Sequence, residues 1–143
     1  MEIRPYKRRA NYYETDQMGV IHHSNYIRWF EETRVDFMEQ IGFGYEKSME
    51  AGIDFAVLGI SCNYHSMVRF GDTVLIESAI YALSPARMSI RYSIKDAETG
   101  ELRTTGETHH CYYRTKQQRP VSLKKALPDL YALFESVCEK DEE

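Results

Sequence analysis

A carboxylate followed closely by a helix start is the arrangement in this sequence that could do chemistry. Asp16 is followed by Gly19 and by the pair His22-His23. Ser24 comes next, and its hydroxyl is suited to cap a helix that begins there. N–H groups at a helix N-terminus carry partial positive charge and can polarise a carbonyl, while a carboxylate can activate water or attack carbon. The residues alone equally allow Asp16 to be a turn residue bonded to nearby backbone N–H groups.

The histidines and cysteines do not predict a metal site. His22 and His23 would need a third ligand, and no other histidine or cysteine stands at a metal-motif spacing from them. The three cysteines are odd in number and far apart, which is typical of reduced thiols in a cytosolic protein. We therefore expect no metal and no cofactor. The residues considered are His65, His109, His110, Cys62, Cys111 and Cys138.

Length and composition narrow the class of protein. A chain of 143 residues predicts one domain, residues 1–143, and 43% hydrophobic residues supply an ordinary core. A net charge of −4 argues against a nucleic-acid binder. No apolar run approaches the roughly 20 residues that span a bilayer, and the N-terminus lacks the apolar stretch of a secretory signal. We expect a soluble, cytoplasmic protein.

The residues after the loop that contains Asp16 predict one long helix. Apolar and small residues recur at helical spacing and define one face, and Gly42 and Gly44 end the pattern. Residues 3–13 read as an extended strand that leads into the loop, and residues 45–52 as a short helical turn. The residues of the helical face are Tyr26, Phe30, Thr33, Phe37 and Ile41.

The middle of the chain predicts antiparallel strands. The expected strands are 55–67 with a break near Gly59, then Thr73–Leu83, a strictly alternating run over 88–95, and Leu102–Arg114 after a hairpin turn at 98–101. A second helical face runs over residues 123–137. This order predicts an α+β fold in which a helix lies on a curved antiparallel sheet. Such a sheet has a second face to cover, so we expect dimerisation.

The sequence of the loop resembles a known family. The run D-x-x-G-x-x-x-H-x-N-Y at residues 16–26 resembles the acyl-CoA thioesterases of the hotdog superfamily. It is most similar to the 4-hydroxybenzoyl-CoA thioesterase-like branch, which includes the short-chain acyl-CoA thioesterases associated with the Tol-Pal system. The likeness continues in Val68-Arg69-Phe70-Gly71-Asp72 and in Arg119-Pro120-Val121, so it covers nearly the whole chain in order. It implies a long central helix wrapped by a curved sheet of about five strands, with a C-terminal helix.

The resemblance also implies roles for individual residues. Asp16 matches the catalytic carboxylate, which attacks the thioester directly or activates water. His23 and Tyr12 match a histidine and a tyrosine of the Tol-Pal-associated members. The helix N-terminus at His23 and Ser24 would polarise the thioester carbonyl. His22 departs from the family, which more often has an aromatic or apolar residue there, so which histidine faces the site stays open.

The remaining implied contacts concern substrate. Gly19 would let the loop approach the substrate, and Ser24 and Asn25 match family positions beside it. The acyl group would lie between helix and sheet at a dimer interface, in a homodimer or a dimer of dimers. Cations at strand ends would hold the phosphates of coenzyme A. These candidates are Arg87, Arg114, Lys116 and Arg119.

The implied function is hydrolysis of an acyl-CoA to free acid and CoA, with three alternatives. A hydroxyacyl thioester dehydratase would use the same scaffold, but its H-x-G-x-x-P motif is absent from the sequence. An acyl carrier protein could replace CoA as the carrier of the acyl group. A non-catalytic acyl-CoA binding or sensing domain would have no use for a carboxylate at Asp16.

Overall fold

A computed structural model describes residues 1–139, so the last four residues of the predicted domain lie outside the described part. In chain order the elements are β1 (Tyr6–Arg9), a short 3-10 helix (Tyr12–Glu14), α1 (Ser24–Gln40), α2 (Tyr45–Ala51), β2 (Ile53–Tyr64), β3 (Thr73–Leu83), β4 (Arg87–Asp96), β5 (Leu102–Arg114), β6 (Arg119–Pro120), α3 (Leu123–Ala126) and α4 (Pro128–Val137).

All the strands pair antiparallel in one sheet. The strand order is β1-β3-β4-β5-β2, and the two-residue β6 pairs with the end of β5. The predicted break in β2 is confirmed as a register shift between Val57 and Gly59. Because β2 pairs only with β5, it forms one edge of the sheet. The architecture is the predicted α+β hotdog arrangement of a long helix against an antiparallel sheet.

The buried face of helix α1 packs against the sheet and forms one side of the core. The predicted apolar face is confirmed, because Tyr26, Phe30 and Phe37 are buried. The ring of Phe30 stacks on that of Tyr92 in β4, with centroids 4.2 Å apart. A Cβ at Gly106 of β5 would lie 2.6 Å from the Phe30 ring, so the absence of a side chain there lets the helix lie close to the sheet. Within residues 1–139 no helix is both long and apolar enough to cross a membrane.

The N-terminal strand is shorter than predicted. The sequence predicts an extended segment over 3–13, but β1 ends at Arg9 and residues Tyr12–Glu14 form a 3-10 helix. The reason is local, since the backbone N–H of Asn11 donates to Glu14 Oε1 at 2.9 Å and tightens the chain into a turn. This turn, rather than a strand end, leads into the acidic loop.

The C-terminal helix is present but divided. The face predicted over 123–137 splits into α3 and α4 at Leu127, which has φ −137° and ψ 71°. Pro128 follows, and a proline disfavours helical geometry in the preceding residue. Phe134 of α4 nevertheless lies against Phe55, with ring centroids 5.8 Å apart, so the helix covers the same core.

Candidate active site

Asp16 opens a tight turn in the loop between the 3-10 helix and α1. Its backbone N–H donates to Val20 O at 2.8 Å, and its carbonyl accepts from Gly19 N at 3.0 Å. Gly19 has φ +78°, a conformation that glycine adopts readily, so the turn depends on it. The Asp16 carboxylate is half-buried, and Oδ1 accepts from Met18 N at 2.8 Å. Within residues 1–139 no protein group donates to Oδ2, so this oxygen has no hydrogen-bond partner in the described part of the protein.

The rest of the loop is fixed to the turn that follows β2. Ile21 N donates to Val68 O at 2.8 Å, and Val20 forms an isolated β-bridge with Arg69. A second bridge joins Thr15 to Ile21 and closes the loop on itself. The Val68–Asp72 segment, singled out by the resemblance, therefore serves as a support for the loop that carries Asp16.

The start of α1 differs from the prediction for Ser24. The N-cap residue is His23, and Ser24 is the first helical residue, so the prediction that Ser24 caps the helix is wrong. The His22 ring takes that place because Ser24 N donates to His22 Nδ1 at 3.2 Å. The Ser24 hydroxyl lies 2.9 Å from the same nitrogen and is turned away from a capping position.

One backbone N–H at the N-terminus of α1, that of His23, has no hydrogen-bond acceptor within residues 1–139. The N–H groups of Asn25 and Tyr26 donate to His22 O and His23 O, at 2.9 and 3.3 Å. Amides at a helix N-terminus point their N–H outward and favour negative charge. The His23 amide can therefore donate to an oxyanion. Ser24 N is less available because it already donates to His22 Nδ1.

The two histidines have different surroundings. Their rings stack with centroids 4.1 Å apart, and the His22 ring is half-buried against the helix start while the His23 ring is exposed. Since His22 Nδ1 already interacts with Ser24, its ring has a structural role at the helix start. The exposed ring of His23 is compatible with a catalytic role, which stays a prediction.

Two tyrosines lie beside the loop. Tyr12, predicted as a site residue, is 75% exposed, and its ring contacts Phe70 edge to face at 5.7 Å. Tyr64 was not identified from the sequence, yet its hydroxyl lies 3.5 Å from His23 O at the end of β2. Partial burial and contact with Cys62 raise the pKa of Tyr64 to about 12, so its phenol stays protonated at neutral pH. No sequence signal separates Tyr64 from the other tyrosines.

A buried carboxylate under the loop was also missed. Glu14 is 3% exposed and lies two residues before Asp16. Its carbonyl accepts from Asn25 Nδ2 at 2.9 Å, so the amide of Asn25, predicted to contact substrate, binds the loop itself. The signal that could have found Glu14 is the pattern N-x-x-E at residues 11–14, which is typical of a capping box.

The predicted CoA-binding cations lie far from Asp16 in the same chain. Thr104 of β5 pairs with Tyr64 at the loop end of the sheet, whereas Arg114 pairs with Ile53 at the other end. At about 3.3 Å per residue, the path along β5 between these pairs is about 30 Å. Arg87 and Lys116 lie at the same distant end. A single chain does not bring these predicted residues to Asp16.

Comparison with known proteins identifies the family. The model of the thioesterase-like superfamily matches residues 11–132 of this chain. The chain therefore belongs to this superfamily and has the hotdog fold. The predicted family is confirmed, and the suggested link to the Tol-Pal system stays a prediction.

Three similar proteins show how far the likeness extends. A proposed esterase of Aquifex aeolicus (strain VF5) is 32% identical over 120 residues, covering 84% of this chain and 91% of the relative. A proposed acyl-CoA thioesterase of Bacillus subtilis (strain 168), YneP, is 28% identical over 126 residues, covering 88% and 91%. The crystal structure of a DHNA-CoA thioesterase from Staphylococcus aureus has a TM-score of 0.88 at 32% identity, covering 94% of this chain and 89% of that one.

Proposed function

We propose that this protein is an acyl-CoA thioesterase in which Asp16 attacks the thioester or activates water, and the His23 N–H stabilises the oxyanion. The observation that carries the proposal is the presence, in one short loop, of a carboxylate oxygen and a helix-terminal amide that both lack a hydrogen-bond partner within residues 1–139. Oxyanion stabilisation by fixed donors is commonly the largest single contribution to acyl-transfer catalysis. The proposed function of the B. subtilis relative agrees with this chemistry.

Two routes are consistent with the loop. In the first, an Asp16 oxygen attacks the carbonyl carbon, the C–S bond breaks, the CoA thiolate leaves, and water hydrolyses the resulting anhydride. In the second, Asp16 takes a proton from water as the water oxygen attacks, and collapse of the tetrahedral intermediate expels the thiolate, which takes up the proton. Both routes yield the carboxylic acid and CoA. In both, the His23 N–H donates to the negative carbonyl oxygen.

In this proposal the active assembly is a homodimer formed through β2, and a dimer of dimers would need a second interface. The β2 edge spans 12 residues and exposes three aliphatic side chains, Val57, Leu58 and Ile60, at 46%, 52% and 40%, besides Tyr64 at 50%. A long apolar edge strand invites pairing with another strand. Two copies of β2 paired antiparallel about a two-fold axis would bury these residues and form one continuous sheet.

This dimer would also complete the substrate site. Antiparallel pairing sets the beginning of one β2 beside the end of the other. Arg114 of the partner subunit, which pairs with the beginning of β2, would then lie near the Asp16 loop at the end of β2. Lys116 follows in the same turn. Cations of the partner would therefore hold the CoA phosphates while Asp16 and His23 act on the thioester.

A thiol-release assay on a panel of acyl-CoAs tests the proposal. The panel includes short-chain, long-chain and hydroxylated aromatic acyl groups, each offered on CoA and on an acyl carrier protein. Asp16→Asn is expected to lower kcat by about 10²–10⁴-fold while the far-UV circular dichroism stays unchanged. The matched control is Asp96→Asn, because Asp96 Oδ1 also accepts backbone N–H groups, those of Glu98 and Thr99, both at 2.9 Å.

The possible outcomes separate the alternatives. Unchanged turnover by Asp16→Asn would contradict the role of Asp16. Tight binding of acyl-CoA without turnover by the wild type would favour a binding or sensing domain. Turnover of the carrier-protein substrates alone would show that an acyl carrier protein, and not CoA, carries the acyl group. Label in the Asp16 carboxyl group after a single turnover in heavy-oxygen water would establish the anhydride route, because water activated by Asp16 places its oxygen only in the product acid.

A further inference from the structure

The Glu14 carboxylate is fully engaged beneath the loop. Its Oε1 accepts from Arg8 Nη1 and Asn11 N, both at 2.9 Å. Its Oε2 accepts from Arg8 Nη2 at 2.8 Å and from the Trp29 indole Nε1 at 2.9 Å. The two Arg8 bonds are parallel and fork-like, which fixes orientation as well as distance. A buried carboxylate therefore joins β1, the 3-10 helix and α1 at one point.

The backbone carbonyl of the same residue holds both sides of the acidic loop. Glu14 O accepts from His22 N at 2.8 Å, which closes the segment that contains Asp16. It also accepts from Asn25 Nδ2 at 2.9 Å, which ties that closure to the first turn of α1. The His23 amide lies between these two attachment points in the sequence. The positions of Asp16 and of the His23 N–H thus both depend on where Glu14 lies.

We infer that Glu14 is a positioning residue for hydrolysis, which sets Asp16 and the His23 amide against the thioester without touching the substrate. The inference rests on the proposed function of these two groups. Charge-assisted hydrogen bonds in a buried site are stronger than neutral ones and hold their partners in a single arrangement. Displacement of reacting groups by about 1 Å can lower a rate about 100-fold, so a positioning residue is visible in kcat.

The network beyond Arg8 predicts a graded response. Arg8 Nε donates to Glu32 Oε1 at 2.8 Å, and the Tyr6 hydroxyl donates to the same oxygen at 2.9 Å. Hydrogen bonds to Glu32 and Glu14 raise the pKa of Arg8, so it stays charged. Glu32 contacts Arg8 but not the loop. Its loss should therefore disturb catalysis less than the loss of Arg8, and much less than the loss of Glu14.

The first experiment measures kcat and KM for three variants of the full chain. Glu14→Gln keeps the shape of the side chain but turns an NH2 group toward donors, and kcat is expected to fall about 10- to 100-fold with KM within about threefold. Arg8→Lys keeps the charge but loses the fork, so its kcat should fall less. Glu32→Gln should leave kcat within about twofold. A kcat for Glu14→Gln equal to that of Glu32→Gln would overturn the inference.

Asp96→Asn is the matched control for a merely structural carboxylate. Asp96 is 9% exposed and accepts from Arg103 Nη2 at 2.9 Å in the turn between β4 and β5, and within residues 1–139 no hydrogen bond joins it to residues 11–26. Loss of this contact is expected to lower the unfolding temperature and leave kcat unchanged at a temperature where the protein is folded. If both variants lowered kcat in proportion to stability, Glu14 would be structural only.

A second readout does not depend on turnover. Trp29 is the single tryptophan of the chain, and its indole donates to Glu14, so its emission reports on this contact. Glu14→Gln should shift Trp29 emission and speed hydrogen exchange at the His22 amide, whereas Asp96→Asn should change neither. Absence of these changes would refute the positioning role even if no acyl-CoA were hydrolysed. Absence of wild-type turnover with these changes present would refute only the proposed function.

Discussion

The two ends of the sheet differ in how their charged groups are held. At the loop end, the Glu14 carboxylate has four donors and the Asp16 carboxylate has one. At the other end, within residues 1–139, no hydrogen bond or ion pair engages the side chains of the predicted cations. The loop end is built to keep two groups in fixed positions, and the other end leaves its charges available to a ligand. These cations are Arg87, Arg114, Lys116 and Arg119.

Under the proposed function, this difference would make a second copy of the chain necessary to complete the site. Chemistry on a thioester needs groups held in advance, because movement during the reaction costs rate. A flexible phosphate-bearing tail needs charge but tolerates mobile side chains. The chain separates these tasks by about 30 Å along β5, and a second copy paired through β2 would bring them together.

The largest expected effect comes from preventing the pairing of two subunits through their β2 strands. Leu58→Lys places a charge on this edge, which should prevent pairing and yield a monomer with little hydrolysis although Asp16 is unchanged. Light scattering after gel filtration gives the mass, and thiol release gives the activity. Leu102→Lys is the matched control, because Leu102 is 37% exposed on β5, where it pairs with Lys95 of β4, and it is not part of the β2 edge. An active monomeric Leu58→Lys variant would refute the shared site.

A mixing experiment tests the same point without disrupting the dimer. Subunits carrying Asp16→Ala and subunits carrying both Arg114→Ala and Lys116→Ala should each be poorly active alone. After they are mixed and exchanged, the mixed dimers have one site with both defects and one site with none. Part of the wild-type activity should therefore return. No recovery despite confirmed exchange would place both groups of residues in the same subunit's site, or the cations outside it.

A smaller effect is expected from removing single cations. Hydrogen bonds to charged groups contribute about 1.5–3 kcal/mol, so Arg114→Ala or Lys116→Ala should raise KM for acyl-CoA by about tenfold or more with kcat nearly unchanged. The effect should shrink as salt concentration rises. Lys7→Ala, an exposed lysine on β1, serves as the control. A KM equal to that of the control would remove the residue from the CoA site.

The smallest expected effect concerns stability in mild acid. Burial lowers the pKa of His110 in β5 to about 4, below its unfolded value of 6.5. Between these values the unfolded chain binds more protons, so stability is full above about pH 6.5 and falls as pH drops toward 4, by up to about 3 kcal/mol. Urea unfolding at pH 7 and pH 4.5 measures the loss, which His110→Gln should reduce.

Asp96, in the turn between β4 and β5, should not contribute to that slope. Hydrogen bonds from Thr99 and Arg103 lower the pKa of Asp96 to about 2 from 3.8, so its contribution is present above about pH 3.8 and is lost only as pH falls toward 2. Asp96→Asn should therefore change stability equally at pH 7 and pH 4.5. A slope that persisted in His110→Gln and disappeared in Asp96→Asn would reverse this comparison.

Periodicity accounts for what the sequence predicted well. The spacing of Tyr26, Phe30 and Phe37 predicts α1, and the alternation over 88–95 predicts β4, because burial of one face imposes the period of the element. Local rules were less reliable where two short-range signals competed. Ser24 is a good capping residue, yet the His22 ring, two residues earlier, takes the acceptor position. Pro128 divides a helical face that is otherwise continuous.

The sequence by itself determined the family, the order of helix and strands, and Asp16 as the candidate carboxylate, because each of these is written in contiguous residues. Only the tertiary structure decided that Glu14 is buried with Arg8 and Trp29, since these partners come from different elements. It likewise decided that the predicted CoA cations lie at the opposite end of the sheet from Asp16, because strand pairing and not sequence distance sets which ends meet.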